Sequence, residues 1–575
     1  MISNRRLVLL FLGILLIISV YTISGVTVQP DQLVSSAISN GDGGDTLRFS
    51  EESTQRGLNY SAVEVYSPTG RKGVYVNDFN RDRQQDLLLL GGTNISWRFS
   101  DTEPMLFENR DGEFYPTEKL PESAIEGHSF ESALFLDYNN DGWQDLLLLP
   151  RHDSPVFLQN NGGEYIVKNV GLNSTLGVPI GASAADYTGN GCLDIFIFQN
   201  GDWTDRKPAG MDETYHGGQV VGVENDNGNR NLLYRGDCTG FENATNSSNI
   251  SGQRWTLSAS FVDLTNDGWP DIHVANDYNH DYIYVNQRDG TFKQVRLDNV
   301  TNRNGMASEV ADINNDGRFD IFVTNIFINR SKYNFTEREQ NFMLGQFGER
   351  LSGNNLLINQ GNGDFEGRAP EYNVSEGGWG WAASIADFDN DGSLEIFHTT
   401  ETLDRYYQET TRTSYYMYPV YYERRGSEFV LRDPEKLGFQ RSNGRGTARL
   451  DFDRDGQLDL VIAEYAVGEN YKLYRNDGTL GSSVKFTVRG WSNQTAIGAN
   501  VYLKTENKTY HRVKSSRSDF LSQDSRVIHI GLKKKSVIES VRVVWPDGTE
   551  REFEKIEKDN HYVVSPNNIT GVNDW

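Results

Sequence analysis

Residues 137–150 read DYNNDGWQDLLLLP, with oxygen-bearing side chains at Asp137, Asn139, Asp141 and Asp145, glycine at 142 and four leucines behind them. Alternate positions of a tight loop turn toward one point, and carboxylates gathered there repel one another unless a cation lies among them. Ca²⁺ takes ~6–8 oxygens at ~2.3–2.6 Å. The pattern D-x-[DNT]-x-[DN]-G-x-x-[DE] offers side-chain oxygens at positions 1, 3, 5 and 9 and a carbonyl at position 7, and its glycine permits the turn. The chemistry implied is calcium binding.

The stretch occurs six more times. Its ligand positions are Asp78, Asn80, Asp82 and Asp86 in the first loop, and Asp186, Thr188, Asn190 and Asp194 in the third. The fourth has Asp263, Thr265, Asp267 and Asp271; the fifth has Asp312, Asn314, Asp316 and Asp320. The sixth has Asp387, Asp389, Asp391 and Glu395, and the seventh Asp451, Asp453, Asp455 and Asp459. One such motif is equally an ordinary Asx-turn. Seven, each followed by a hydrophobic run, imply up to seven Ca²⁺. The third loop is the weakest, with two carboxylates, and the first departs from the pattern because Arg83 replaces glycine. The formal net charge is −25, and 22 of the 80 acidic residues occupy these positions, so much of the acidity is local. That charge excludes a basic nucleic-acid surface.

Loops repeating every ~50–75 residues require a modular scaffold. Small residues precede each loop (SALFLD, GASAAD, WAASIAD), a hydrophobic run follows, and a third run ends at an Asn or Arg turn such as FLQNNGGEY. Four strands per unit make a propeller blade, with small side chains on the innermost strand where blades converge. The seventh unit lacks an outer strand, while LRFSEESTQRGL at 47–58 resembles a blade tail without its head. The expected fold is all-β: a seven-bladed β-propeller over 45–478 closed by an N-terminal strand, which removes two sheet edges. A small β-rich domain over 479–565 and a tail over 566–575 follow.

At the N-terminus MISNRR precedes an uncharged run from Leu7 to Val28. Twenty-two helical residues span about 33 Å, enough for a membrane, with the arginines on the cytoplasmic side. Residues 1–28 are therefore one hydrophobic helix, either a retained anchor or a cleaved signal peptide, with 29–44 a flexible linker. Either way the chain is extracytoplasmic. Thirteen Asn-x-Ser/Thr sequons agree with export, as does a single cysteine pair, Cys192 and Cys238, which forms a disulfide or remains as two buried thiols.

These loops resemble the FG-GAP/VCBS repeats of integrin α-chain propellers and their microbial relatives. SNQTAIGANVYL at 492–503, SDFLSQDSRVIHIGL at 518–532 and VRVVWPDGTE at 541–550 look like an ASPIC/UnbV domain. The pairing is similar to the cartilage acidic protein family, which implies an extracellular calcium-binding protein of interaction type and supplies no catalytic residues. Read from the residues alone, Asn493, Ser522, Gln523 and Trp545 are either a binding site or, the favoured reading, turn formers and a core tryptophan.

The expectation is thus a non-enzymatic protein acting in cell-surface interaction or adhesion. Its partner is a protein or glycan, with the membrane itself contacted if the N-terminal helix is uncleaved. Insertions at 202–230, 326–353 and 401–418 join second to third strands and should project from the face opposite the calcium loops. Two other readings are a carbohydrate-active enzyme using channel carboxylates and a surface-layer scaffold. Glu131, Glu309 and Arg449 are the best enzymatic candidates; structural ion pairing is their alternative.

Overall fold

A computed structural model describes residues 47–572 except 61–71, 92–102, 202–227, 298–300, 302, 328–352, 402–417, 466–469, 479–480, 492–493 and 518. The segments expected to be an N-terminal helix (1–28) and a linker (29–44), and the bodies of the three insertions, lie outside the described residues. Among the described residues no helix is long and apolar enough to cross a membrane.

Seven antiparallel sheets form the blades of an all-β propeller. Their innermost strands are Gly73–Asn77, Phe130–Leu136, Val178–Ala185, Trp255–Val262, Ser308–Ala311, Trp379–Ala386 and Gly444–Leu450. Side chains on these strands are almost uniformly buried, so the alanines and serines there allow blades to approach. Each second strand starts at position 9 of its loop, as in Asp145–Pro150 and Asp459–Glu464. Its leucines, isoleucines and phenylalanines fill the layers between blades.

The ring closes through Phe49–Glu51, which supplies the outermost strand of blade 7 by pairing Phe49 with Asn476, Ser50 with Arg475 and Glu51 with Tyr474. Phe49 is buried against Phe388 and Phe439 and so wedges this strand between blades 6 and 7.

The C-terminal domain packs two four-stranded sheets around Val484, Phe486, Val501, Val541 and Trp545. Trp545 belongs to this core, its indole N–H donating to the Arg489 carbonyl at 2.8 Å. Two sequence expectations are corrected here. The segment expected as a tail contains the strand Ile569–Val572, which pairs with Asn560–Val564; its ITGV is too short to show alternation. Ser522 and Gln523 are not surface turn formers either. They form a buried two-residue strand parallel to Val74–Tyr75 of blade 1, while Ser516–Arg517 pair with blade 3.

That excursion from the C-terminal domain fills the propeller's channel and touches every blade. The Leu521 carbonyl accepts from Val74 N–H, and the Gln523 amide oxygen from Phe135 N–H. Ser183 pairs with Arg517. Asp519 accepts from Ser258 Oγ, Ser308 N–H and Ala383 N–H at 3.2, 3.1 and 3.0 Å, reaching blades 4, 5 and 6. Asp524 accepts from Arg449 N–H of blade 7 at 2.8 Å. Inner-strand amides at the centre of a propeller lack a further strand to pair with, and here one peptide satisfies them.

Candidate metal centres

All seven loops share a backbone scheme that holds whatever the charge count. A carboxylate oxygen of the position 1 aspartate accepts the N–H of position 6, as Gly142 to Asp137 at 3.1 Å, Gly392 to Asp387 at 2.9 Å and Gly456 to Asp451 at 3.1 Å. Position 6 lies at positive φ, 85° at Gly142 and 86° at Gly392. Arg83 adopts the same conformation at 73° and still donates to Asp78 at 3.0 Å, so the first loop keeps its turn despite the missing glycine. Position 4 is left-handed too, at Arg81, Asn140, Asn266, Asn315, Asn390 and Arg454.

Position 9 is tied down on both oxygens in most blades. Asp145 accepts from Tyr138 N–H at 3.0 Å and from Asn160 N–H at 2.9 Å. The Asn160 amide in turn donates to the Phe79 carbonyl of blade 1 at 2.8 Å, stapling adjacent blades. Asn109, Asn286, Asn359 and Asn476 make the equivalent bond to Phe452, Tyr187, Leu264 and Phe388. The staple is visible in the sequence as the asparagine ending five of the seven third runs, but its partner in the next blade is not. By register, Gly236 and Arg424 hold this place in blades 3 and 6.

The structure separates loops 6 and 7 from the others. Among the described residues, ligand atoms of Asp387, Asp389 and Glu395 lie within 4.8 Å of one another, as do those of Asp451, Asp453 and Asp459. Glu395 Oε1 and Asp451 Oδ1 are buried and meet no hydrogen-bond donor. An unpartnered buried carboxylate oxygen facing other carboxylates is costly, and a bound divalent ion is the simplest group that would satisfy it. The donor set, all oxygen and rich in carboxylate, fits Ca²⁺.

In loops 1, 2 and 5 the position 3 asparagine turns its amide onto the position 5 carboxylate: Asn80 to Asp82 at 3.0 Å, Asn139 to Asp141 at 2.8 Å and Asn314 to Asp316 at 3.0 Å. In loop 4 Arg288 holds Asp267 at 2.8 Å. In loop 3 Thr188 Oγ1 lies 3.3 Å from both Asp186 and Asp194, and the Asn190 amide donates to the Gly236 carbonyl. That loop is also braced covalently by the disulfide Cys192–Cys238, with Cα atoms 5.2 Å apart.

Burial, reinforced by acidic neighbours, pushes these carboxyls up. Asp137 and Asp389 rise to about 6, Asp271 and Asp320 to about 7, and Asp145 and Asp194 to about 8. Asp387, Glu395 and Asp459 are driven well above the usual range by burial first and neighbouring carboxylates second. Asp451 is raised by burial while the Lys485 ammonium opposes the rise.

The C-terminal domain covers this face, a role its sequence did not announce. Ser483 Oγ donates to the Gly456 carbonyl at 2.8 Å and Lys485 Nζ reaches Asp451 Oδ2 at 2.7 Å, both on loop 7. His511 packs against Phe319 of loop 5 with the rings tilted, Lys508 donates to the Gly392 carbonyl of loop 6, and Arg526 donates to Asn77 beside loop 1. Beneath it, a cavity of about 90 Å³ is lined by Glu309, Arg449, Arg512 and Asp524 among others. Glu309 and Arg449 are 3.9 Å apart, Arg449 is 2.7 Å from Asp524, and Glu131 is 3.6 Å from Arg151. The channel carboxylates are thus engaged in ion pairs.

A propeller of acid-loop repeats capped by a β domain defines the class. The FG-GAP-like repeat profile matches residues 137–197, 263–323 and 342–398, and the ASPIC and UnbV profile matches residues 490–570. The chain carries FG-GAP-like repeats and an ASPIC and UnbV domain. It is similar to cartilage acidic protein 1 of Mus musculus, 24% identical over 505 residues covering 83% of this chain and 70% of the relative. The same-named Homo sapiens protein is 27% identical over 288 residues, 48% of this chain and 39% of the relative. The solved structure "YCF48 bound to D1 peptide" aligns with 73% of this chain and 97% of its own at 11% identity, with a TM-score of 0.37.

Proposed function

We propose that the chain acts outside the cytoplasm as an interaction or adhesion protein whose propeller is held by structural calcium, with loops 6 and 7 the principal sites. The observation that carries this reading is the convergence of three carboxylates in each of those loops together with the unpartnered Glu395 Oε1 and Asp451 Oδ1. Asp387, Asp389 and Glu395 would hold one ion, and Asp451, Asp453 and Asp459 another. Bound calcium would supply charge neutralisation, not chemistry.

An extracellular setting is supported by the relatives' name, cartilage acidic protein 1, and by the disulfide. Eight sequon asparagines, at 59, 173, 243, 246, 249, 373, 507 and 568, are exposed and accessible to a glycosylating enzyme. The channel ion pairs support a structural role for Glu131, Glu309 and Arg449 over a hydrolase. Second strands run away from the loop face, so the chain leaves Gly201, Phe327 and Glu401 on the opposite side, where a protein or glycan partner would meet the insertions.

Calcium titration of the purified full chain, with melting in calcium and in chelator, tests the metal reading. Uptake of calcium and a lower melting temperature in chelator are expected. No bound calcium and an unchanged melt would sink the reading. For the partner face, deleting 402–417 should abolish capture of a matrix or surface ligand by the folded protein, and unimpaired capture would count against it.

A further inference from the structure

Lys485 leaves the strand Ser482–Val488, which is held between Ile528–Leu532 and Asn560–Val564, so its position is fixed by the C-terminal sheet. Its side chain is 5% exposed and that of Asp451 2%, and the ammonium lies 2.7 Å from Asp451 Oδ2. The same oxygen accepts the Gly456 N–H, while Asp451 Oδ1 stays without a donor, and Asp451 belongs to the carboxylate cluster with Asp453 and Asp459. The lysine thus sits on a carboxylate that is itself one of the clustered ligands. Within the propeller, Arg475 adds a second cation by forking onto Asp453 and Asp455. In loop 6 the direct ion pair among the described residues is with the exposed Lys533, 3.9 Å from Asp391, while Lys508 reaches the Gly392 carbonyl rather than a ligand carboxylate.

We propose that Lys485 is a resident counter-ion of loop 7, contributed by the C-terminal domain, that keeps the loop folded without a divalent ion and weakens that ion's hold when it binds. The inference rests on the calcium reading of loop 7 and deepens it: a fixed positive charge on a ligand carboxylate opposes a dication on the same group, yet relieves carboxylate repulsion when the dication leaves. Docking of the C-terminal domain and cation occupancy are coupled through this one carboxylate. The domain thereby makes the blade at the ring's closure the less calcium-dependent of the two acidic blades.

The test compares the full chain with Lys485→Met, Lys485→Arg and the double variant Asp451→Asn/Lys485→Met, by calcium titration and by melting in calcium and in EDTA. Lys485→Met is expected to bind calcium at loop 7 about tenfold or more tightly and to lose more melting temperature in EDTA than the parent. Lys485→Arg should restore the parent's behaviour. Equal EDTA sensitivity of Lys485→Met and the parent overturns the proposal, as does weaker calcium binding by Lys485→Met. If Lys485→Met fails to fold in both media, the double variant decides: recovery of folding supports an electrostatic pair, and failure again overturns it. A parent that binds no calcium and ignores EDTA instead defeats the calcium reading itself, a different result from a responsive parent with an indifferent variant.

Discussion

Loops 6 and 7 each carry four carboxylates, yet the fold treats them differently. In loop 6 Asp387, Asp389, Asp391 and Glu395 are gathered, and among the described residues their one direct ion pair is with the exposed Lys533, 3.9 Å from Asp391. Lys508 donates to the Gly392 carbonyl, and the Arg512 and Arg432 charges act on Asp387 and Asp389 without pairing with them. In loop 7 Asp451, Asp453 and Asp455 are engaged by Lys485 and Arg475. Equal ligand counts are therefore met by unequal direct pairing of the ligand carboxylates. The lesson is that an acidic motif defines what a loop could bind, while its neighbours from other elements set how much it needs a ligand.

The sharpest way to break this comparison is to remove one position 9 ligand from each loop. Glu395→Gln should lower calcium affinity at loop 6 by roughly two decades, because ligand charge tunes such sites strongly. Asp459→Asn should cost loop 7 about one decade, since two cations already offset its charge. Calcium titration of the two variants checks this, and equal losses would remove the distinction.

pH gives the next largest effect. Folded-state values are raised, to about 6 for Asp389 and well above the usual range for Asp387 and Glu395. A raised carboxyl contributes stability that is fully present below its unfolded value near ~4 and is lost as pH rises through the folded value. Melting temperature in EDTA should therefore fall between pH 5 and pH 8, by an amount of order 1–3 kcal/mol in stability. With calcium bound the trend should reverse, because protons compete for the ligands. Glu395→Gln should flatten the EDTA profile more than Asp451→Asn, whose carboxylate already has Lys485. A flat parent profile in EDTA would contradict the picture of loop 6.

Arg475→Met should move loop 7 toward loop 6 by freeing Asp453 and Asp455, enlarging the destabilisation by EDTA by about 1–2 kcal/mol. Paired thermal melts would detect it. The smallest effect expected is that of Asn476→Ala. Asn476 staples blade 7 to the Phe388 carbonyl of blade 6 at 2.8 Å, and its loss should cost about 1 kcal/mol in calcium and EDTA alike. A calcium-dependent cost would mean that the staple and the metal loop are one unit.

Much of this architecture was legible locally. The alternation of Asp137, Asn139, Asp141 and Asp145 before four leucines gives both the turn and the buried second strand, because a tight loop and a period-2 strand are short-range matters. Ring closure was legible too, since a missing outer strand at one end and an orphan strand at the other leave one economical pairing, observed as Phe49 with Asn476. The glycine expected at position 6 is not required, however: Arg83 takes φ of 73°, its N–H donating to Asp78 as the glycines do. The channel peptide was missed. SRSDFLSQDS carries no strand alternation, and its order comes from inner-strand amides contributed by residues hundreds of positions earlier, such as Phe135 to Gln523.

The sequence by itself determined the wheel: seven repeats, each with a polar corner and a buried strand, and an excess of negative charge that must be neutralised. Those properties follow from residue type and spacing within a dozen positions. Tertiary structure alone decided which corners converge, which are met by lysine or arginine, and that the C-terminal domain occupies the channel and covers the acidic face. Electrostatic need depends on distances between residues far apart in the chain, as between Lys485 and Asp451 at 2.7 Å, and no local pattern encodes that distance.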